Sequence, residues 1–336
     1  MNSFELTKQM MAIPSVTGTE GAFGEYLCSH LDSRGYHLER QSVSDGRFNI
    51  RAFAGGNPRV VLCTHIDTVP PAIAIREDEE NIYGRGACDT KGIIAAMLEA
   101  GDRLRGAGII DFAYLFVVGE EVNGDGARAA NTLQWKSEFV IVGEPTENLM
   151  ARAQKGTFHA RLQVEGKAAH SGYPEMGLSA IEALWKVLDD CRAADWGNDP
   201  VLGRGSFNIG TFQGGERANI VPALATSSVM IRTIEPREKV LAQMRNLVDG
   251  RAQMEIVSQN EPQVMHVVEG FPTTVVSFGS DVPYLGNLGK PLLIGPGSIL
   301  DAHTANEKIR KKDLMAGVEI YERLVKRLLA NPKHAG

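Results

Sequence analysis

Apolar positions along the chain recur with two different periods, and the switch between them outlines the elements. Phe4 to Met11 and Glu20 to Arg34 place apolar residues at helical spacing, and Gly35 suits the end of the second helix. Arg59 to Thr64 is instead a short run of branched apolar residues, the pattern of a strand buried on both faces. Lys91 to Leu104 reads as a helix, with Phe112 to Val118 and Glu138 to Val142 as further strands. Strands alternating with helices predict an α/β fold, a mostly parallel sheet with helices on both faces.

Near Ala151 the pattern changes. Thr157 to Glu165 alternates like a half-exposed strand, and Phe207 to Phe212, Ala223 to Thr233 and Gln253 to Gln259 read as strands of the antiparallel type. Leu178 to Ala194 and Pro236 to Val248 read as helices, and Pro236 is well placed at a helix start. After Pro262 the buried type returns with Thr274 to Phe278 and Pro291 to Ile294, and a helix from Lys312 to Ala330 closes the chain. The expected organisation is an α+β domain at 152–260 inserted into a discontinuous domain made of 1–151 and 261–336. A chain of 336 residues suits two cores better than one.

Composition removes several alternatives. A hydrophobic share of 43% with 23% charged residues is that of a globular chain, not a disordered or fibrous one. The net charge of −6 offers no basic footprint for nucleic acid. No apolar run approaches the about 18 residues of a membrane span. Met1 to Ala12 lacks the basic-then-apolar order of a secretory signal. Cys28, Cys63, Cys88 and Cys191 form no C-x-x-C pair and are expected as reduced, buried thiols of a cytoplasmic protein.

The informative feature is where the acids and histidines fall. The Arg59–Thr64 strand runs into His65 and Asp67, Phe112–Val118 into Glu120 and Glu121, and Glu138–Val142 into Glu144. Pro291–Ile294 leads by a loop to His303, and Asp89 follows a Gly-rich segment just before a helix. Ligands of open α/β sheets bind beyond the carboxyl ends of the strands, so these side chains are expected to converge there. Each has an ordinary reading by itself. His65 could be a core histidine, Asp89 a helix cap, and Glu120-Glu121 a solvated turn. Thr304 to Glu307 matches a capping box, which makes Glu307 a helix-start residue. Several acids at the ends of apolar strands repel one another, and one or two divalent cations would offset that repulsion.

The motifs His65-Ile66-Asp67-Thr68-Val69-Pro70, Gly84 through Gly92, Gly119-Glu120-Glu121, Gly143-Glu144-Pro145-Thr146 and Ala302-His303-Thr304 resemble, in this order, a zinc metallopeptidase and deacylase family. That family includes aminoacylase-1, acetylornithine deacetylase, succinyl-diaminopimelate desuccinylase and carboxypeptidase G. The resemblance spans essentially the whole chain and is nearest to compact acetylornithine and acetyl-lysine deacetylases. It implies a di-zinc exopeptidase-like fold with an inserted lid and dimerisation domain. It further implies two Zn2+ ions, replaceable by Co2+, with Asp89 as the bridging ligand, His65 and Glu144 on one ion, and Glu121 and His303 on the other. Asp67 is implied as the partner that orients His65, Glu120 as the general base, and the Asp89–Thr90 peptide as cis.

In the inserted domain, Ala168-Ala169-His170-Ser171-Gly172-Tyr173-Pro174 resembles the segment whose histidine serves the opposite subunit's oxyanion. Gly214 through Pro222 resembles a substrate-contact segment with Asn219 as its matching residue, and Arg232 resembles an arginine that holds a substrate carboxylate. Many relatives carry Asp two residues before that arginine, where this chain has Met230. His30, His37, His159, His266 and His334 match no family position. The implied activity is hydrolysis of an N-acyl amino acid by a homodimer, with N-acetylornithine or N-acetyl-lysine as first choice. A succinyl-diaminopimelate desuccinylase and a dipeptidase or carboxypeptidase are the alternatives, and a metal-free scaffold of the same fold is the non-enzymatic one.

Overall fold

The computed structural model describes residues 2–330 other than Asn57 and Gln134, so His334 lies outside the described residues. The chain divides into two compact units, one made of Met1–Arg152, Met265–Thr274 and Ser280–Gly336, the other of Ala153–Val264 and Val275–Gly279.

The centre of the first unit is a parallel block of four strands. Phe112–Val117 pairs with Val60–His65, which pairs with Phe139–Val142, which pairs with Lys290–Leu293. The first two strands are buried at every one of their six positions, which is why they read as unbroken apolar runs. A hairpin of His37–Ser44 and Arg47–Phe53 adds antiparallel to Phe112–Val117. Alternate residues Val60, Leu62, Tyr114, Phe116, Ile141 and Leu292 share one apolar cluster with the helices Ser3–Met11, Gly21–Asp32, Lys91–Gly106 and Lys311–Ala330. The residues between them point to the other face. There Asn49, neighbour of the clustered Ile50, donates to Gly126 O at 2.8 Å and so fixes the short helix Asp125–Ala130. The fold is thus α/β with a mostly parallel sheet and helices on both faces, as the periodicity predicts.

The second unit is a four-stranded antiparallel sheet in the order Ser206–Gly214, Leu224–Thr233, Gly156–Glu165, Gln253–Asn260. Its inward residues Phe158, Ala160, Leu162, Val229 and Ile231 pack with Leu184, Val187 and Leu188 of Ala180–Ala193 and Val240 and Met244 of Arg237–Val248. Cys28, Cys63, Cys88 and Cys191 are free thiols and all are buried. Among the described residues no helix is long and apolar enough to cross a membrane.

Candidate active site

In a parallel block, strands that start together also end together. The Gly143 amide bonds to Cys63 O at 2.8 Å and the Ile66 amide to Val117 O at 2.8 Å, so the segments carrying His65, Glu120 and Glu144 leave the sheet side by side. The Asp89 loop joins through Thr90, whose hydroxyl donates to His65 O at 2.6 Å. The peptides Asp89–Thr90 and Pro70–Pro71 are cis.

Asp89 lies at the middle of the constellation. Its Oδ1 is 3.0 Å from His65 Nε2, and its Oδ2 is 3.4 Å from His303 Nε2. His303 Nε2 also lies 2.9 Å from Glu121 Oε2. Donor atoms of His65, Asp89 and Glu121 all fall within 4.8 Å of one another. His303 holds this position with a φ of 61°, a left-handed conformation that a non-glycine residue adopts at a cost and that clusters at functional sites.

Asp67 is fully buried and serves two sides of the site. Its oxygens accept the Thr17 hydroxyl at 2.7 Å and the backbone amides of Glu120 at 3.1 Å and Glu121 at 3.2 Å. The same residue faces His65, whose Nδ1 is 3.0 Å from Asp67 O and 3.4 Å from Asp67 Oδ1. One residue therefore aims an imidazole, through its carbonyl with its carboxylate behind, and fixes the turn that presents two glutamates.

Proton affinities record how crowded the acids are. Burial first, then neighbouring negative charge, raises Glu120, Glu121 and Glu144 above the ordinary carboxyl range. Burial also works against charge on His65, but Asp67 and Asp89 raise it well above the usual histidine value. Asp89 and Glu121 raise His303 to about 10. Burial acts against the charge of Asp89, yet hydrogen bonds from His303 and His65 hold its carboxyl well below normal. Two imidazoles and the carboxylates around them, gathered within reach of one another, offer the nitrogen and oxygen donors of a divalent cation once the imidazole protons leave.

Two buried acids beside the site have places that the sequence reading does not give. Asp281 is buried, its Oδ1 has no hydrogen-bond partner, and burial pushes its carboxyl up to about 7 despite His65 nearby. The signal was an acid just beyond the Thr274–Phe278 run, the same signal that marked the other strand-end acids. Glu307 is a correction. It does not start a helix: Lys308–Arg310 is a strand paired with Asn81–Tyr83, and the helix begins at Lys311. Its fully buried carboxylate instead meets Arg85 at 2.6 Å, because a buried guanidinium needs an anion more than a solvated chain turn needs a cap. Asp89 likewise caps nothing; the residue before the Lys91–Gly106 helix is Thr90, with no side-chain cap.

His170, Asn219 and Arg232 lie in the second unit. The His170 and Asn219 loops pair, with the Ser171 amide on Asn219 O at 3.0 Å and the Val221 amide on Ala169 O at 2.8 Å. The His170 ring is exposed, and its Nδ1 accepts the Gly172 amide at 3.0 Å. That bond leaves the proton on Nε2, so the outward nitrogen is a donor. Arg232 and Met230 share a face of Leu224–Thr233, opposite Thr157 and His159 respectively. His159 Nε2 is 2.7 Å from Ser228 Oγ. His30 stacks on Tyr26, His266 on Phe139, and His37 is exposed near Glu39.

Comparison with known proteins follows the same arrangement. The family described as Peptidase family M20/M25/M40 matches residues 61–327. A peptidase M20 domain-containing protein of Schizosaccharomyces pombe is 38% identical, over 96% of this chain and 84% of its own length. A probable carboxypeptidase of Neosartorya fischeri is 35% identical, over 96% of this chain and 85% of its own. The YXEP protein of Bacillus subtilis, a dinuclear metal-binding peptidase from the M20 family, has a crystal structure similar at a TM-score of 0.68. It is 14% identical and covers 97% of this chain and 98% of its own.

Proposed function

The chain belongs to peptidase family M20/M25/M40, and from that premise we propose that it cleaves an amide whose amine side is an amino acid with a free α-carboxylate. The C-terminal residue of a short peptide and an N-acyl amino acid both answer that description. The carboxypeptidase name of a relative at 35% identity favours the peptide, and N-acetylornithine or N-acetyl-lysine is the second arm. The observation that carries the reading is Asp89, which turns one oxygen to His65 and the other to His303.

His65 and Glu144 would hold one cation, Glu121 and His303 the other, with Asp89 shared between them. Two Zn2+, or Co2+ in their place, would supply Lewis acidity toward the carbonyl oxygen and bring the pKa of water down toward neutrality. The rest is the work of side chains. Asp67 keeps the His65 ring and the Glu120-Glu121 turn in place through the bonds described above. Glu120 takes a proton from the attacking water and returns it to the leaving nitrogen, the exchange suited to a buried carboxyl whose proton affinity lies above the ordinary range. His170 donates from Nε2 to the oxygen that gains charge, acting in a homodimer across to the opposite subunit. Asn219 contacts the substrate, and Arg232 receives its carboxylate in the bidentate manner a guanidinium favours. The setting of this chemistry is the cytoplasm.

The test is a hydrolysis panel with zinc-loaded protein. It includes dipeptides and tripeptides, N-acetylornithine, N-acetyl-lysine, N-succinyl-diaminopimelate, and each compound amidated at its carboxylate. Turnover of free acids and none of their amides is expected. A protein that holds less than one equivalent of cation and cleaves no member of the panel is a scaffold, and the proposal fails.

A further inference from the structure

One ion pair outside the ligand set touches three of the loops that carry it. Arg85 Nη1 lies 2.6 Å from Glu307 Oε2, with Arg85 8% exposed and Glu307 fully buried. The guanidinium reaches the His65 loop, where Nε donates to Pro71 O at 3.2 Å. Glu307 itself follows His303 in the same loop. Its other oxygen, Oε1, accepts the backbone amides of Cys88 and Asp89, each at 3.3 Å. The main chain completes the link, with the Gly84 amide on Glu307 O at 2.9 Å.

From these contacts we propose that Arg85 and Glu307 are positioning residues that set the Asp89 carboxylate between its two histidines. The amide that Glu307 receives belongs to Asp89 itself, so a displacement of Glu307 is a displacement of the shared ligand. Charge argues the same way. A buried ion pair beside a site already crowded with acids is costly to desolvate, and well-packed apolar residues in its place often leave a fold as stable or more so. What an apolar pair cannot do is receive the Asp89 amide while anchoring the His65 loop.

This inference rests on the metallohydrolase reading. Its test is Co2+ uptake by metal-stripped full-length protein, followed by visible absorption and by competition with a chelator. The variants are Glu307→Gln, Arg85→Lys and the apolar double variant Arg85→Met/Glu307→Leu. The double variant is expected to fold by circular dichroism, to lose about 10–100-fold in affinity for at least one Co2+, and to show a changed absorption band. Glu307→Gln keeps an oxygen for the Asp89 amide and is expected to fall between it and wild type. If the double variant does not fold, Glu307→Gln and Arg85→Lys carry the same expectation of weakened Co2+ binding. Folded variants with wild-type affinity and absorption overturn the positioning role while leaving the metallohydrolase reading intact. Wild-type protein that takes up no Co2+ overturns both.

Discussion

Asp67 and Glu120 divide between them the tasks of holding the site and using it. Asp67 spends its acceptors on the Thr17 hydroxyl and two backbone amides, whereas Glu120 is a buried acid with raised proton affinity. Glu120→Gln should therefore lower turnover by about 10²–10⁴-fold with cation content unchanged, measured by steady-state kinetics and elemental analysis on one sample. Loss of metal in that variant would make Glu120 a ligand instead. His303 and His65, both raised by neighbouring carboxylates, give the site its pH dependence. Raised to about 10, His303 keeps its proton in the metal-free protein, where its contribution to stability is complete below its ordinary value near 6.5 and fades as pH rises through about 10. A cation must displace that proton, so apparent Zn2+ affinity should climb from pH 7 to 9, and His303→Ala should flatten the slope. A slope equal to wild type in the variant would remove His303 from the ligand set. The convergence of His65, Glu121 and His303 around Asp89 was legible because each of the three follows an apolar strand, directly or by the loop after it. The role of Glu307 was not, since its partner Arg85 is 222 residues away in sequence and local spacing there imitates a helix cap.

Elements were legible where burial is uniform and obscure where it is not. Val60–His65 and Phe112–Val117 announced themselves as apolar runs, while the hairpin strand His37–Ser44 is mostly exposed at the sheet edge and shows no inward row of apolar residues. This hairpin is absent from the elements read along the sequence; Asp45-Gly46 joins its strands, with Gly46 at a φ of 69°. Gly119 has a stricter requirement. At a φ of 78° it turns the chain from its strand into Glu120, and a Cβ there would lie 2.0 Å from Asp125 Oδ1 and 2.7 Å from Arg47 Nη2. Asp125 and Arg47 cannot easily yield, because Arg47 is bound to both Asp125 and the buried Glu20. Gly119→Ala should cost at least about 1–3 kcal/mol in urea unfolding and reduce turnover through the displaced Glu120. A wild-type unfolding midpoint would show that the turn relaxes without consequence.

For the molecule as a whole the proposal requires two cations in one unit and a histidine of the other unit that serves a neighbouring subunit. The second requirement has a genetic-complementation form. Glu120→Ala and His170→Ala homodimers should each be nearly inactive, yet a mixed dimer has one site with both groups intact. It should recover about half of wild-type turnover per dimer, whereas verified mixed dimers with no recovery would return His170 to its own subunit or to no catalytic role. The central claim, that Asp89 is shared by two cations in an amide hydrolase, is tested most directly by titrating metal-stripped protein with Zn2+ while following hydrolysis of its best substrate in the panel. Turnover should be absent without cation and should level off at two equivalents, and full turnover by the stripped protein, or a plateau at one equivalent or below, would contradict the account.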